Sequence, residues 1–257
     1  LEIENVQLKK WLLSWYHRLA SPRWFYQTSE KWLPWLAIVT TVILVVGAVW
    51  GLVFAPVDYK QGNSYRIIFI HVPACAIAMA GYMTMATAAG ISLIWKIKLA
   101  EVIMKCCAPI GAGVTLIALI SGSLWGKPTW GTYWIWDARL TSFLILFFLY
   151  LGVMALYEAF EDSDSAYKAS ALLSLVGVVN IPIIYWSVVW WNSLHQGATI
   201  KITEESTMHP AMLQPFLLML FGFYCLFALL LLLHSRAEIL VRERNTQWVK
   251  ALVEQRC

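Results

Sequence analysis

Charged side chains are scarce in this chain. They make up 13% of its 257 residues, where soluble domains carry about a quarter. That shortage excludes an ordinary water-soluble fold, and its distribution says why. No acidic or basic residue lies between Lys31 and Asp58, and none lies in residues 67–95, 106–126, 140–157, 169–191 or 212–235. Runs of this length suit the hydrocarbon core of a bilayer, which a helix of about 20 apolar residues crosses. Six transmembrane helices are therefore predicted, with no room for a separate soluble domain. Cysteine is also sparing: the five present form neither CxxC nor CxxCH, which disfavours thiol redox chemistry and covalent attachment of a prosthetic group. No Walker A pattern is present, so nucleotide hydrolysis is not expected of this chain. The membrane interior is nearly empty of polar groups. Asn180, beside Pro182 in the fifth run, is the main exception and marks an expected kink. Pumps and ion-coupled transporters place ionisable groups at that depth, so a polar transport path is not supported.

What is abundant is apolar and aromatic: 60% hydrophobic residues, with 15 tryptophans. Ahead of the first run, Leu8, Trp11, Leu12, Trp15 and Leu19 recur at helical spacing opposite Lys9, Lys10 and Arg18. That pattern predicts a helix lying in the membrane interface. The expected organisation is a basic amphipathic segment over 1–33, a six-helix domain over 34–235 and a basic tail over 236–257.

A net charge of +4 could suggest nucleic acid, but the placement of the charges argues for topology instead. Alternating the segments between two sides puts fourteen Lys and Arg residues on the side of both termini and five on the other: Lys60, Arg66, Lys127, Arg139 and Lys201. The positive-inside rule then places both termini in the cytoplasm and no nucleic-acid partner is implied.

Three connections, 56–66, 124–139 and 192–211, consequently face outward. The middle one contains "WGKPTWGTYWIWDARLTS", in which Trp125, Trp130, Trp134 and Trp136 crowd together just before Asp137. An aromatic belt would spread one or two such residues over each helix end. Gly126, Pro128 and Gly131 predict a loop here rather than a regular helix, with Trp130 and Trp134 sharing a face if a short turn forms. A large flat apolar ligand or partner accounts for this crowding better than anchoring does. Asp137 precedes the fourth helix and is placed to cap it. Arg66 and Arg139 bracket the same face, as interfacial cations or as partners for an anion. His71 stands at the mouth of the second helix and His195 in the third outward connection. Each alone reads as structural; together beside the tryptophans they suit two axial positions on a haem iron. His209, directly before Pro210, is a third candidate farther from the aromatic groups.

The tryptophan block resembles the WWD signature of haem-handling membrane proteins. "FAPVDYKQGNSYRIIFIHVP" before it and "NIPIIYWSVVWWNSLHQG" after it are similar to the flanks in one branch of that superfamily, cytochrome c maturation protein C, or haem exporter protein C, of bacterial inner membranes. The resemblance spans roughly Trp32 to Arg244. It implies a non-enzymatic component that binds haem b at the periplasmic face through His71 and His195. In that family the WWD segment, here Trp125 to Asp137, is the platform for haem and chaperone, and Arg66 and Arg139 occupy positions suited to the propionates. The implied partners are the periplasmic haem chaperone (E protein), a small single-span D protein and an ABC-type pair of A and B proteins that hydrolyses ATP. Two other readings stay open at this point: a translocator that carries haem across the bilayer, and a b-type electron-transfer cytochrome, which would place its histidine pairs inside the membrane.

Overall fold

The computed structural model describes residues 21–191, 193, 195 and 208–255. The expected interfacial helix over Leu8–Leu19, His17, Lys201, Cys257 and most of the third outward connection lie outside the described residues. Among those described, the chain is helical. Helix α1 (Pro22–Val49) is extended by a π-helical turn, Trp50–Phe54. A 3-10 turn (Asn63–Ile67) leads directly into α2 (Ile68–Trp95), followed by α3 (Lys98–Trp130) and α4 (Ala138–Ala159). Helices α5 (Ser163–Gly177) and α6 (Asn180–Trp190) are the halves of one broken span, and α7 (Pro210–Arg242) and a short α8 (Gln247–Glu254) are the last of the described elements. Among the described residues, six stretches are long and apolar enough to cross a membrane, as the uncharged runs predict.

Local chemistry explains several helix starts. Ser21 accepts the Trp24 N–H and Pro22 occupies the first helical position of α1, where a missing N–H costs nothing. Asp162 caps α5 by accepting the Ser165 N–H at 2.9 Å. His209 caps α7: its Nδ1 accepts the Ala211 N–H at 3.2 Å, with Pro210 next in line.

Helices α2 and α3 form the most extensively packed pair, and α4 and α7 close around them. At mid-depth, Tyr82 and Tyr150 meet edge to face at 5.1 Å, both with rings shielded from solvent. Their hydroxyls donate to the Leu173 and Ala78 carbonyls, so neither polar tip is stranded in the bilayer. Glycine makes this possible, since a Cβ at Gly111 would lie 2.1 Å from the Tyr150 ring. The fifth span breaks where Asn180 predicts a kink, and the Asn180 amide donates across to the Ser142 carbonyl at 2.9 Å. Residues such as Val39, Val42, Val46 and Val49 on α1 are exposed, which is the normal state of a lipid-facing surface.

At the end of the bundle opposite the tryptophan segment, polar groups close on one another. Lys105 of α3 reaches Glu238 of α7 at 2.8 Å, and Arg242 bridges Glu238 and Glu101, each at 2.6 Å. The buried Arg236 guanidinium lies 3.9 Å from the Tyr26 ring centroid and donates to the Tyr26 carbonyl and to Ser29 Oγ. Helix α8 folds back so that Trp248 meets the Tyr26 ring at 5.6 Å and Val249 is buried. The expected boundaries at 33 and 236 thus fall inside α1 and α7, because both helices continue past the membrane-length run and pack there.

Candidate functional site

His71 lies in the first turn of α2 and is 8% exposed. Its Nδ1 is 3.0 Å from the Ala118 carbonyl and 3.1 Å from Ser121 Oγ, both on α3. Ser121 spends its own proton on the Ile117 carbonyl at 2.6 Å. Both groups facing Nδ1 can therefore act as acceptors, which assigns the proton of the neutral imidazole to Nδ1 and leaves the lone pair on Nε2. Such close approach to α3 requires glycine at position 122, where a Cβ would stand 2.7 Å from His71 Cε1. Trp125 presents its ring nearly perpendicular to the imidazole, at 5.7 Å.

The tryptophan segment is more helical than its glycines and proline predict. Helix α3 runs through Gly126 and Pro128 and ends only after Trp130, where Gly131 takes φ 81° and its N–H closes on the Lys127 carbonyl. The expected break at Gly126 and Pro128 is absent because Pro128 sits in the last turn. The carbonyl that it leaves without a helical donor, that of Leu124, lies near the water interface. Trp125 and Trp130 are therefore held on a rigid element, and Trp125 Nε1 donates to Gln61 Oε1 at 2.7 Å. Trp134 follows in irregular chain, not in the helical turn that its spacing from Trp130 allows. Its N–H and carbonyl both meet Thr132 Oγ1, while its indole Nε1 is buried without a hydrogen-bond partner. Trp136 stacks edgewise on Trp134 at 5.5 Å but is 76% exposed.

Asp137 does two things. Its Oδ1 caps α4 by accepting the Leu140 N–H at 2.7 Å, as expected. Its Oδ2 accepts the Ser193 hydroxyl, and Ser193 Oγ in turn accepts the His195 N–H at 3.1 Å. The start of α4 is thereby tied to the segment that carries His195, whose ring lies 6.0 Å from Trp130.

These residues share one cleft. His71, His195, Trp125, Trp130, Trp134 and Arg139 all line it, together with Gln61 from the first connection; its empty space, counting the open mouth, is about 870 Å³. Of the residues singled out by sequence, Trp136, Asp137 and Arg66 do not line it. Arg66 is committed elsewhere: Nη1 and Nη2 donate to the Leu52 and Ala55 carbonyls at 2.7 and 2.8 Å, where they close the π-helical turn. His209 is the cap of α7. Sequence reasoning overlooked Gln61, Cys75, Ser121 and Gly122. The small-residue run 121–123 hints at a close approach there, but the same helix carries a second such run at 111–113, so the sequence does not single it out.

Among the described residues, no cluster of three or more His, Cys, Asp and Glu side chains is placed to hold a bare metal ion. Two imidazoles, indole walls and one guanidinium instead suit a flat ligand that brings its own metal with axial positions open.

Fold and site together define a polytopic α-helical membrane protein with an aromatic, two-histidine cleft at one end of its bundle. The sequence model of the family described as "Heme exporter protein C" matches residues 15–250. Relatives of that name are 51% identical over 240 residues in Escherichia coli strain K12 (93% of this chain, 97% of the relative) and 49% identical over 240 residues in Haemophilus influenzae (93% and 98%). Another, from Bradyrhizobium diazoefficiens, is 47% identical over 234 residues (91% and 89%). The chain belongs to the haem exporter protein C family.

Proposed function

We propose that this chain holds haem b in the cleft, at the periplasmic face of a bacterial inner membrane, and delivers it to the periplasmic haem chaperone for c-type cytochrome biogenesis. The observation that carries this reading is the convergence of His71 and His195, from elements far apart in sequence, on one cleft walled by Trp125, Trp130 and Trp134. The name of its relatives, "Heme exporter protein C", supports haem as the cargo. The excess of basic residues on the side of the termini supports a periplasmic cleft.

The residues present fit that cargo. An iron porphyrin offers two axial positions to nitrogen donors, and the Nδ1–H tautomer of His71 leaves Nε2 available for one of them. Indole faces bury the apolar macrocycle at the membrane edge, where one side of such a molecule is dry and the other wet. Arg139, lining the cleft, supplies a cation for a propionate, and the unpartnered Trp134 Nε1–H is a donor awaiting an acceptor. Arg66 contributes by fixing the backbone beneath the first connection. Trp136, exposed beside the cleft, is where the E protein meets the platform. The D protein and the ABC-type A and B proteins complete the assembly, with ATP hydrolysis confined to the ABC pair.

The test is haem uptake by the purified full-length protein in detergent. The wild type is expected to take up one haem per chain with a low-spin, two-imidazole spectrum. His71→Ala and His195→Ala should each lose the low-spin signature and retain about a tenth or less of the haem. Unchanged haem content and spectrum in both variants would overturn the reading.

A further inference from the structure

Gln61, in the first connection, lines the cleft, and the haem-binding reading leaves it without a role. A tight turn fixes its backbone. Asp58 Oδ1 accepts the N–H groups of Lys60 and Gln61 at 2.9 and 2.7 Å. The Gly62 N–H returns to the Asp58 carbonyl at 3.0 Å, with Gly62 at φ 60°, where a side chain would be strained. The Gln61 carbonyl accepts the Ser64 hydroxyl at 2.6 Å. The side chain is fixed as well, by the Trp125 indole N–H at 2.7 Å. An indole nitrogen only donates, so the amide oxygen faces Trp125 and the amide NH2 faces away from it. Trp125 is itself held between Tyr65 and His71, nearly perpendicular to both rings at 5.9 and 5.7 Å. Among the described residues, none accepts a hydrogen bond from Gln61 Nε2.

We propose that Gln61 is a binding residue whose amide NH2 donates to a carboxylate of the ligand, with Trp125 as the group that aims it. The accepting end of the amide is occupied, and the donating end is what remains for the cleft. A ligand that bears carboxylates meets this donor together with the Arg139 guanidinium and the unpartnered Trp134 Nε1–H. The three donors come from three separate stretches of chain: the first connection, the segment after α3 and the first turn of α4. A neutral amide orients a carboxylate without the hold of a second ion pair, which suits a cargo that must leave. The proposal rests on the haem-binding reading above and extends it to the acidic edge of that ligand.

The experiment titrates full-length wild type, Gln61→Glu and Gln61→Leu in detergent with haemin and with haemin dimethyl ester. The ester keeps the iron and the ring but loses both carboxylate charges. At about pH 8 the introduced glutamate is ionised. It still accepts the Trp125 N–H, but it offers the ligand a negative oxygen where the amide offers a donor. Gln61→Glu is therefore expected to weaken haemin binding about tenfold and ester binding about twofold. Gln61→Leu, which brings no charge, should weaken haemin about fivefold and the ester about twofold. It carries the test alone if the glutamate variant does not fold. Equal losses for the two ligands overturn the proposal, since Gln61 would then only anchor Trp125, and so does haemin binding that matches wild type. If the wild type binds neither ligand, the haem-binding reading itself has failed; if it binds both and the variants do not discriminate between them, only the donor role of Gln61 has.

Discussion

The two ends of the bundle use the same kinds of residue to opposite effect. At the end away from the cleft, Arg236 is buried against Tyr26 and Ser29, and Lys105, Glu238, Arg242 and Glu101 form a closed chain of ion pairs. The cationic groups there find their partners inside the protein, although the Tyr157 hydroxyl and Ser235 Oγ are buried nearby without one. At the cleft end, Arg139 lines open space and Trp134 Nε1 is buried without a partner. Satisfied polar groups rigidify a fold; groups left partly satisfied mark where a ligand completes the set. The bundle is thus locked at one end and waiting at the other.

The largest effect expected from breaking this contrast is at Gly122. A methyl there would approach His71 Cε1 to 2.7 Å and Nδ1 to 3.3 Å, which forces the imidazole away from Ala118 and Ser121. Gly122→Ala should lower haem affinity by about tenfold or more, the usual cost of disturbing groups that orient a ligand. Thermal unfolding should change little, since the cleft has room to receive the displaced ring. A titration with haemin, followed by calorimetry of the haem-free protein, checks both halves. A variant that binds haem normally would show that His71 is not held by this socket.

At the locked end the pattern should invert. Arg236→Met keeps most of the buried volume but removes the hydrogen bonds to Tyr26 and Ser29 and the stacking on the Tyr26 ring. A loss of about 2 kcal/mol in unfolding free energy is expected from a charged hydrogen bond and a desolvated cation–π contact. Haem affinity should stay within about twofold of wild type, because the two ends share no polar partner. Denaturant unfolding in a fixed detergent, paired with the same haemin titration, measures both. The neighbouring ion pairs are partly exposed and contribute less individually.

Much of this arrangement is legible in the sequence, and the remainder is hidden for physical reasons. Uncharged runs reveal the six spans because a bilayer imposes a length that composition alone must meet. His71, His195, Arg139 and three of the four tryptophans could be placed near one another because they border connections on one side. Pro128 misled because a proline breaks a helix interior but is tolerated where the carbonyl it orphans can reach water. Arg66 and Arg139 look alike in sequence, and only tertiary geometry separates the one that closes a backbone turn from the one that lines the cleft. The socket formed by Ser121 and Gly122 depends on which face α3 turns toward α2, and small residues alone do not specify that. The Tyr82 and Tyr150 pair is similarly hidden, because a tyrosine in an apolar run signals neither its partner nor the glycine opposite.

The smallest effect, and the finest test of the contrast, is at Asp137, which belongs to both regimes: it satisfies a helix end and it tethers a ligand-bearing segment. Asparagine caps helices about as well as aspartate, so Asp137→Asn should keep α4 intact and cost under about 1 kcal/mol, mainly through the lost charge at the helix N-terminus. The tether should suffer more than the cap. With one amide oxygen used on the Leu140 N–H, the amide nitrogen faces Ser193 and replaces a charge-assisted bond by a neutral one of roughly half the strength. Haem loss to apomyoglobin should accelerate about two- to threefold, because the segment bearing His195 is held less firmly. Asp137→Ala removes both functions, and should add a fall of about 1 kcal/mol in stability to a faster haem loss. If alanine lowered stability yet released haem at the wild-type rate, the Asp137–Ser193–His195 chain would be a structural cap alone, and the segment bearing His195 would owe its position to Trp130 rather than to Asp137.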